Sequence, residues 1–236
     1  MRLATIAALI ASLSFVGAAS AADPAEDIAL PSVYNWSGFY VGAHAGGAWS
    51  ENCFTFIEDQ GAPVGPVDYN CHDGDGWLAG GQIGANFQSG SFVYGIEGSA
   101  SFSGVEGEHI ALPGFPAGEL LHESDIDSIF TLTARGGVAW DRLLIYGKAG
   151  LAAAHTDFSY VGTALATASG DDTFWGWTVG AGAEYGLTNN LSLAAEYNYL
   201  DLGDQDIHYT GAFDFVENVE QELHTVTLRL NYRFGY

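Results

Sequence analysis

The chain has 236 residues, a net charge of −23 from 29 acids against six bases, 48% hydrophobic residues and 32 glycines. That acidity excludes nucleic acid as a partner, because phosphate binding needs a basic surface. Past the N-terminus no apolar run reaches the about 18 residues that a membrane helix needs, so a helical membrane protein is excluded as well.

Met1-Arg2 gives a positive start, Leu3 to Ala19 is apolar and small, and Ala19-Ser20-Ala21 or Ser20-Ala21-Ala22 supplies the small residues of a cleavage site. This is the layout of a secretory leader. The expected organisation is a signal peptide over 1–22, an N-terminal extension over 23–35 and one domain over 36–236. Arg2 leaves with the leader and every acid follows Ala22, so five bases face 29 acids in the remainder.

Period-two alternation begins at Trp36. Over 36–49, Phe39, Val41, Ala43, Ala45 and Trp49 share one face, while Gly38, Tyr40, Gly42 and His44 share the other. The glycines would each cost about 1 kcal/mol in a helix. The pattern returns over 77–88, with Ile83 and Phe87 against Gln82 and Asn86. It returns over 92–102 (Tyr94 and Ile96 against Glu97), 129–140 (Phe130 and Leu132 against Arg135) and 143–154 (Ile145 and Leu151 against Lys148). It ends over 174–187 (Val179 and Tyr185 against Glu184), 191–200 (Leu193 and Tyr197 against Glu196) and 223–236 (Leu228 and Leu230 against Arg229 and Arg233). Each segment is near the 9–11 residues of a tilted membrane strand. The predicted fold is all-β, an eight-stranded antiparallel up-and-down transmembrane β-barrel.

Ser89-Gly90-Ser91, Asp141-Arg142 and Thr188-Asn189-Asn190 read as tight turns. Residues 50–76, 103–128, 155–173 and 201–222 read as long loops. Short turns on one side and long loops on the other is the outer-membrane arrangement. Seven charged residues fall within the segments, Glu97, Arg135, Lys148, Glu184, Glu196, Arg229 and Arg233, all on the less apolar face. An Arg or Lys on the lipid face costs roughly 2–4 kcal/mol at mid-depth. These seven are therefore expected to form an interior ion-pair network, with Glu184 paired to Arg135 or Arg229. The network is either a structural filling or a charged pore lining. The small diameter of eight strands favours the filling. Aromatics near the segment ends, from Trp36 and Phe39 through Trp140 and Phe174 to Phe234 and Tyr236, read as interfacial girdles.

Cys53 and Cys71 would meet an oxidising compartment, so a disulfide is expected to be possible. No metal site is expected from two cysteines with only His72 beside them.

Trp36-Ser37-Gly38-Phe39-Tyr40-Val41-Gly42, Gly80-Gly81-Gln82-Ile83-Gly84, Gly95-Ile96-Glu97-Gly98 and the run from Gly176 to Tyr185 together resemble opacity-type, porin-like outer-membrane proteins. The likeness extends to the ending Leu230-Asn231-Tyr232-Arg233-Phe234. It points to the branch of immunogenic outer-membrane proteins of alphaproteobacteria. The resemblance implies an OmpA-like barrel in the outer membrane of a Gram-negative bacterium, without a periplasmic peptidoglycan-binding domain. It also implies a terminal signal for the barrel-assembly machinery at Leu230, Tyr232, Phe234 and Tyr236.

The long connections carry 22 of the 29 acids. They are either a solvated, repulsive surface or a place for divalent cations to bridge lipopolysaccharide phosphates, with Asp68 to Asp75 as the best segment. The resemblance also allows haem binding through His72, His109, His122, His155, His208 or His224. A lipid A-modifying enzyme with a Ser/His pair at the rim is a third reading. His155, however, is followed by Thr156 and Asp157, and no Gly-x-Ser-x-Gly elbow occurs. The expectation is no catalytic residue and no cofactor. The expected role is structural, in envelope integrity with at most narrow porin-like permeability, and the expected partners are outer-membrane lipid and lipopolysaccharide.

Overall fold

A computed structural model describes residues 34–59, 61–110, 120–162, 168–209 and 215–234. The expected signal peptide, most of the extension and Tyr236 lie outside the described residues. The chain from Tyr34 forms the expected closed barrel: β1 (Gly38–Asp59), β2 (Ala62–Ser89), β3 (Phe92–Ile110), β4 (Leu120–Trp140), β5 (Leu143–Gly162), β6 (Ala168–Gly186), β7 (Leu191–Tyr209) and β8 (Phe215–Phe234). Each strand pairs antiparallel with the next, and β8 closes onto β1.

The register fixes the shape. From Tyr40 the cross-strand partners run Gly84, Glu97, Thr133, Gly150, Thr178, Leu200 and Leu223, then return to β1 at Ser50. The path comes back ten residues along the strand where it began. Such a stagger over eight strands implies a tilt of roughly 35–45° and an interior just wide enough for side chains.

Aromatics bracket the lipid-facing band. Phe39 and Trp49 bound it on β1, Trp77 and Phe87 on β2, Phe92 and Phe102 on β3, Phe130 and Trp140 on β4, and Trp175 and Tyr185 on β6, and all are exposed. Each pair is ten residues apart. At about 3.3 Å per residue and about 40° of tilt, that spacing spans about 25 Å, the height of an outer-membrane apolar band. Trp36 and Phe174 depart from the expected girdles. Both are fully buried inside the barrel: Phe174 shares the parity of inward residues on β6, and Trp36, which precedes β1, turns into the mouth, where its Nε1 donates to Asp141 O.

The strands do not stop at the girdle. Residues 50–76, 103–128, 155–173 and 201–222, expected as loops, mostly continue the strands as a wall beyond the membrane. There the alternation inverts. Within the band apolar side chains point out and polar ones in. Above it Val105, Ile126, Leu202, Ile207, Val219 and Leu223 are buried inward, while Asp125, Asp127, Asp204, Asp206 and Glu220 are exposed. Water replaces hydrocarbon outside the wall, so the favourable orientation of each residue type reverses. Cys53 and Cys71 are directly opposite on β1 and β2 in this wall and form a disulfide.

The inversion sets an expected contrast. Ile96→Arg, on the lipid face near mid-band, is expected to destabilise the barrel by about 2–4 kcal/mol. Asp127→Arg, outward on the hydrated wall, is expected to be near neutral. Urea unfolding in lipid vesicles reads both, and equal costs would contradict the assignment.

Candidate functional site: the barrel interior

Three carboxylates and three cations meet at mid-barrel. Glu97 on β3 accepts from Tyr40 Oη at 2.7 Å, from Arg229 Nη2 at 2.8 Å and from Lys148 Nζ at 3.3 Å. Glu196 on β7 accepts from Tyr146 Oη at 2.7 Å and from Arg229 Nη1, and pairs with Lys148 Nζ at 2.7 Å. Glu184 on β6 accepts from Ser192 Oγ at 2.5 Å, Arg135 Nη2 at 2.8 Å and Asn231 Nδ2 at 3.0 Å. All six charged side chains are buried. Arg135 also lies over the Tyr146 ring at 3.9 Å from its centroid. The numbers of acids and bases match, so the layer is neutral.

The arrangement repeats half a barrel away. Tyr40 on β1 donates to Glu97 on β3, and Tyr146 on β5 donates to Glu196 on β7. The ring of Tyr40 lies against the backbone of Gly84, and that of Tyr146 against Gly182. A Cβ at either glycine would enter the ring, so both positions need glycine. A polar chain continues outward from the ion pairs. Gln82 Nε2 donates to Asn231 Oδ1 at 2.8 Å, and His44 contacts Gln82 Oε1 at 2.7 Å and Ser101 Oγ at 2.8 Å. Above the ion layer lies a cavity of about 40 Å³ lined by His44, Ser101, Thr131, Lys148, Glu196 and Arg229. That is room for one or two waters. Leu78, Ile129 and Leu200 also line it, and the apolar cluster of the outer wall lies around them.

Arg233 does not join this layer. It is buried at the mouth nearest the short turns, where Nη2 donates to Asn189 O at 2.7 Å. Its guanidinium stacks on Tyr34 and Trp36, 4.6 and 5.5 Å from their ring centroids. Those two rings fill the mouth and were not recognised as interior residues from sequence. Trp36 N donates to Gln88 Oε1 at 2.6 Å and its Nε1 to Asp141 O at 3.1 Å. Tyr34 N donates to Asp141 Oδ1 at 3.3 Å. Asp141 has φ 51°, a left-handed turn conformation that Asp tolerates.

The remaining candidates lie on the outside. Leu230, Tyr232 and Phe234 are exposed on the lipid face of β8. His224 contacts Tyr197 Oη at 2.8 Å, and His155 contacts Thr173 Oγ1 at 3.3 Å and Asp157 at 3.9 Å. His72, His109 and His122 fall on the outer parts of β2, β3 and β4.

A lipid-exposed apolar band around a polar, charge-balanced interior marks an outer-membrane barrel, and residues 8–234 match the family model for the outer membrane protein beta-barrel domain. The chain belongs to this family. It is 33% identical to the 31 kDa outer-membrane immunogenic protein of Brucella melitensis, covering 98% of each chain. It is 29% identical to the 22 kDa outer membrane protein of Rhizobium leguminosarum, covering 85% of this chain and 86% of that one. The solved structure of OprG from Pseudomonas aeruginosa resembles the fold with a TM-score of 0.53 at 13% identity, over 84% of this chain and 97% of that one. The outer membrane is thus the location of this family member, on the alphaproteobacterial branch.

The ion pairs carry an energetic expectation. Glu184→Ala is expected to cost about 3–5 kcal/mol, because Arg135 stays buried without its 2.8 Å partner. Joint replacement of Glu184 and Arg135 by Met is expected to be near neutral. Urea midpoints in detergent measure both, and an unchanged midpoint for Glu184→Ala would contradict the pairing.

Proposed function

We propose that this outer-membrane barrel is a closed structural protein of the envelope surface, and not an open pore or an enzyme. The observation that carries the reading is the filling of the interior at three successive levels. Tyr34, Trp36, Val93, Ala139, Leu144 and Tyr146 pack together at the mouth. The ion-pair layer follows. The apolar cluster around Ile126, Phe174, Leu202 and Leu223 then fills the outer end. Ions crossing the barrel would have to displace buried charge pairs and also pass between the packed side chains of the outer cluster, each step carrying a large desolvation cost.

The proposed partners are outer-membrane lipid and lipopolysaccharide. Just above the girdle, acids oppose acids across the sheet: Asp201 faces Glu222, Glu222 faces Glu51, and Glu51 faces Asp73. Like charges directly opposite destabilise a sheet. Divalent cations shared with lipopolysaccharide phosphates would relieve that repulsion and tie the barrel to the leaflet. In this reading the leader over 1–22 directs export. The outward row of Leu230, Tyr232 and Phe234, with Tyr236 beyond it, presents the assembly signal to the barrel-assembly machinery.

Two outcomes follow. Purified protein in planar bilayers is expected to show no stepwise conductance, and a reproducible ohmic channel would refute closure. Chelation of Mg²⁺ with EDTA is expected to lower the thermal midpoint more in bilayers containing lipopolysaccharide than in bilayers without it. An equal shift in both would remove the cation bridge.

A further inference from the structure

The wall above the girdle is not fully closed. Among the described residues, β2 pairs with β3 only from Asp75↔Glu106 inward, although β2 begins at Ala62 and β3 runs to Ile110. Likewise β6 pairs with β7 only from Trp177↔Asp201 inward, although β6 begins at Ala168 and β7 runs to Tyr209. The other six pairings continue far into the wall. The barrel therefore divides outside the membrane into two four-stranded halves, β3 to β6 and β7–β8–β1–β2. The two seams lie on opposite sides of the barrel.

A register shift marks the base of each seam, between Phe102 and Val105 on β3 and between Asp201 and Asp204 on β7. Gly203, with φ 67°, sits in the second. Bulges of this kind bend a strand and end its pairing.

The two seams differ in how their edges are protected. On β2 the free edge contains Pro63 and Pro66, which lack the N–H a new strand would need. On β3 it is short, from Gly107 to Ile110. Neither edge of the β6–β7 seam contains proline. Its β7 side lies against β6 as far as Leu202 beside Gly176 and then offers Asp204–Tyr209, with Ile207 buried inward and Asp204, Asp206 and His208 exposed outward. Its base is capped locally, where Gly203 N donates to Asp201 Oδ1 at 3.0 Å and Thr173 N to Asp172 Oδ1 at 2.6 Å, and Asn218 Nδ2 on β8 donates to Asp204 Oδ2 at 3.2 Å and Asp206 Oδ1 at 2.9 Å. Exposed edges invite strand addition, and proteins that gain nothing from it blunt them.

We propose that the Asp204–Tyr209 edge of β7 is a docking edge for an extended basic polypeptide segment that adds as a strand outside the membrane. Main-chain hydrogen bonds would supply the affinity and alternate side chains the selectivity. The charge sets the partner's chemistry. All the Lys and Arg residues after the leader lie between Arg135 and Lys148 or at Arg229 and Arg233, so the outer wall contains none. Asp172, Asp204 and Asp206 flank the seam. A second copy of this chain would set acids against acids there, and lipopolysaccharide has neither the positive charge nor the peptide backbone.

Amide hydrogen exchange on the full protein in detergent micelles tests the docking edge. The probe is an alternating Lys-Val peptide of about ten residues. Asp204–Tyr209 is expected to gain protection with this peptide and not with its Glu-Val counterpart. Methylating alternate backbone nitrogens of the Lys-Val peptide is expected to weaken binding roughly tenfold or more. Asp204→Lys with Asp206→Lys is expected to reverse the charge preference while keeping the barrel folded, as the heat-modifiable gel shift reports. Equal binding of the methylated peptide would show charge attraction without strand addition and overturn the proposal. So would protection confined to other strands, no protection at all, or protection of this edge without peptide, on self-association or on addition of lipopolysaccharide.

Discussion

A strand that crosses hydrocarbon must show it an apolar face, and its closed sheet leaves only the other face for polar side chains. Most of this molecule follows from that constraint. With eight strands and a stagger of ten residues, the interior has room for side chains and at most a few waters. Charged residues inside must therefore neutralise one another. Glu97, Glu184 and Glu196 do so with Arg135, Lys148 and Arg229. The two tyrosines that donate into the layer take positions where only glycine leaves room opposite. Where the wall leaves the membrane the constraint lifts. The interior there gains an apolar cluster alongside buried polar groups such as Thr156 and Gln221, because an outward Asp or Glu is hydrated there at little cost.

The membrane half was legible in the sequence because one solvent acts along each segment. Val226, Leu228, Leu230, Tyr232 and Phe234 keep even parity on β8, and Arg229 and Arg233 keep odd parity. The outer half was not legible because the parity of apolar residues flips at the rim. A reader following even positions outward on β8 meets His224, Glu222 and Glu220 and infers a loop. The core there is carried by Leu223 and Val219 at odd positions. Phe174 could have been placed inside by parity alone, since it matches Thr178, whereas Trp36 precedes β1 and is separated from it by Gly38 at φ 133°. Their aromatic character argued for the girdle instead. Arg233 has interior parity, but its depth depends on where Tyr34 and Trp36 fold back, a long-range contact that no local pattern encodes.

The interior and the wall divide the work of the protein. The interior is charge-balanced, and Tyr34 and Trp36, which precede the first strand, pack in its mouth, an arrangement suited to holding a barrel rigid. The wall carries the acidic charge, the disulfide and the two seams, and it faces the surroundings of the cell.

The central claim is that the medium outside each ring of residues dictates which way its side chains point. Spin labels placed one at a time along β8 from Val219 to Phe234, in a background lacking Cys53 and Cys71, test it most directly. Collision with oxygen, which concentrates in lipid, is expected to dominate at even positions from Val226 to Phe234. A water-soluble nickel chelate is expected to dominate at Glu220 and Glu222, with odd positions shielded from both throughout. Nickel accessibility at Leu228 or Leu230, or oxygen accessibility at Arg229, would contradict the account.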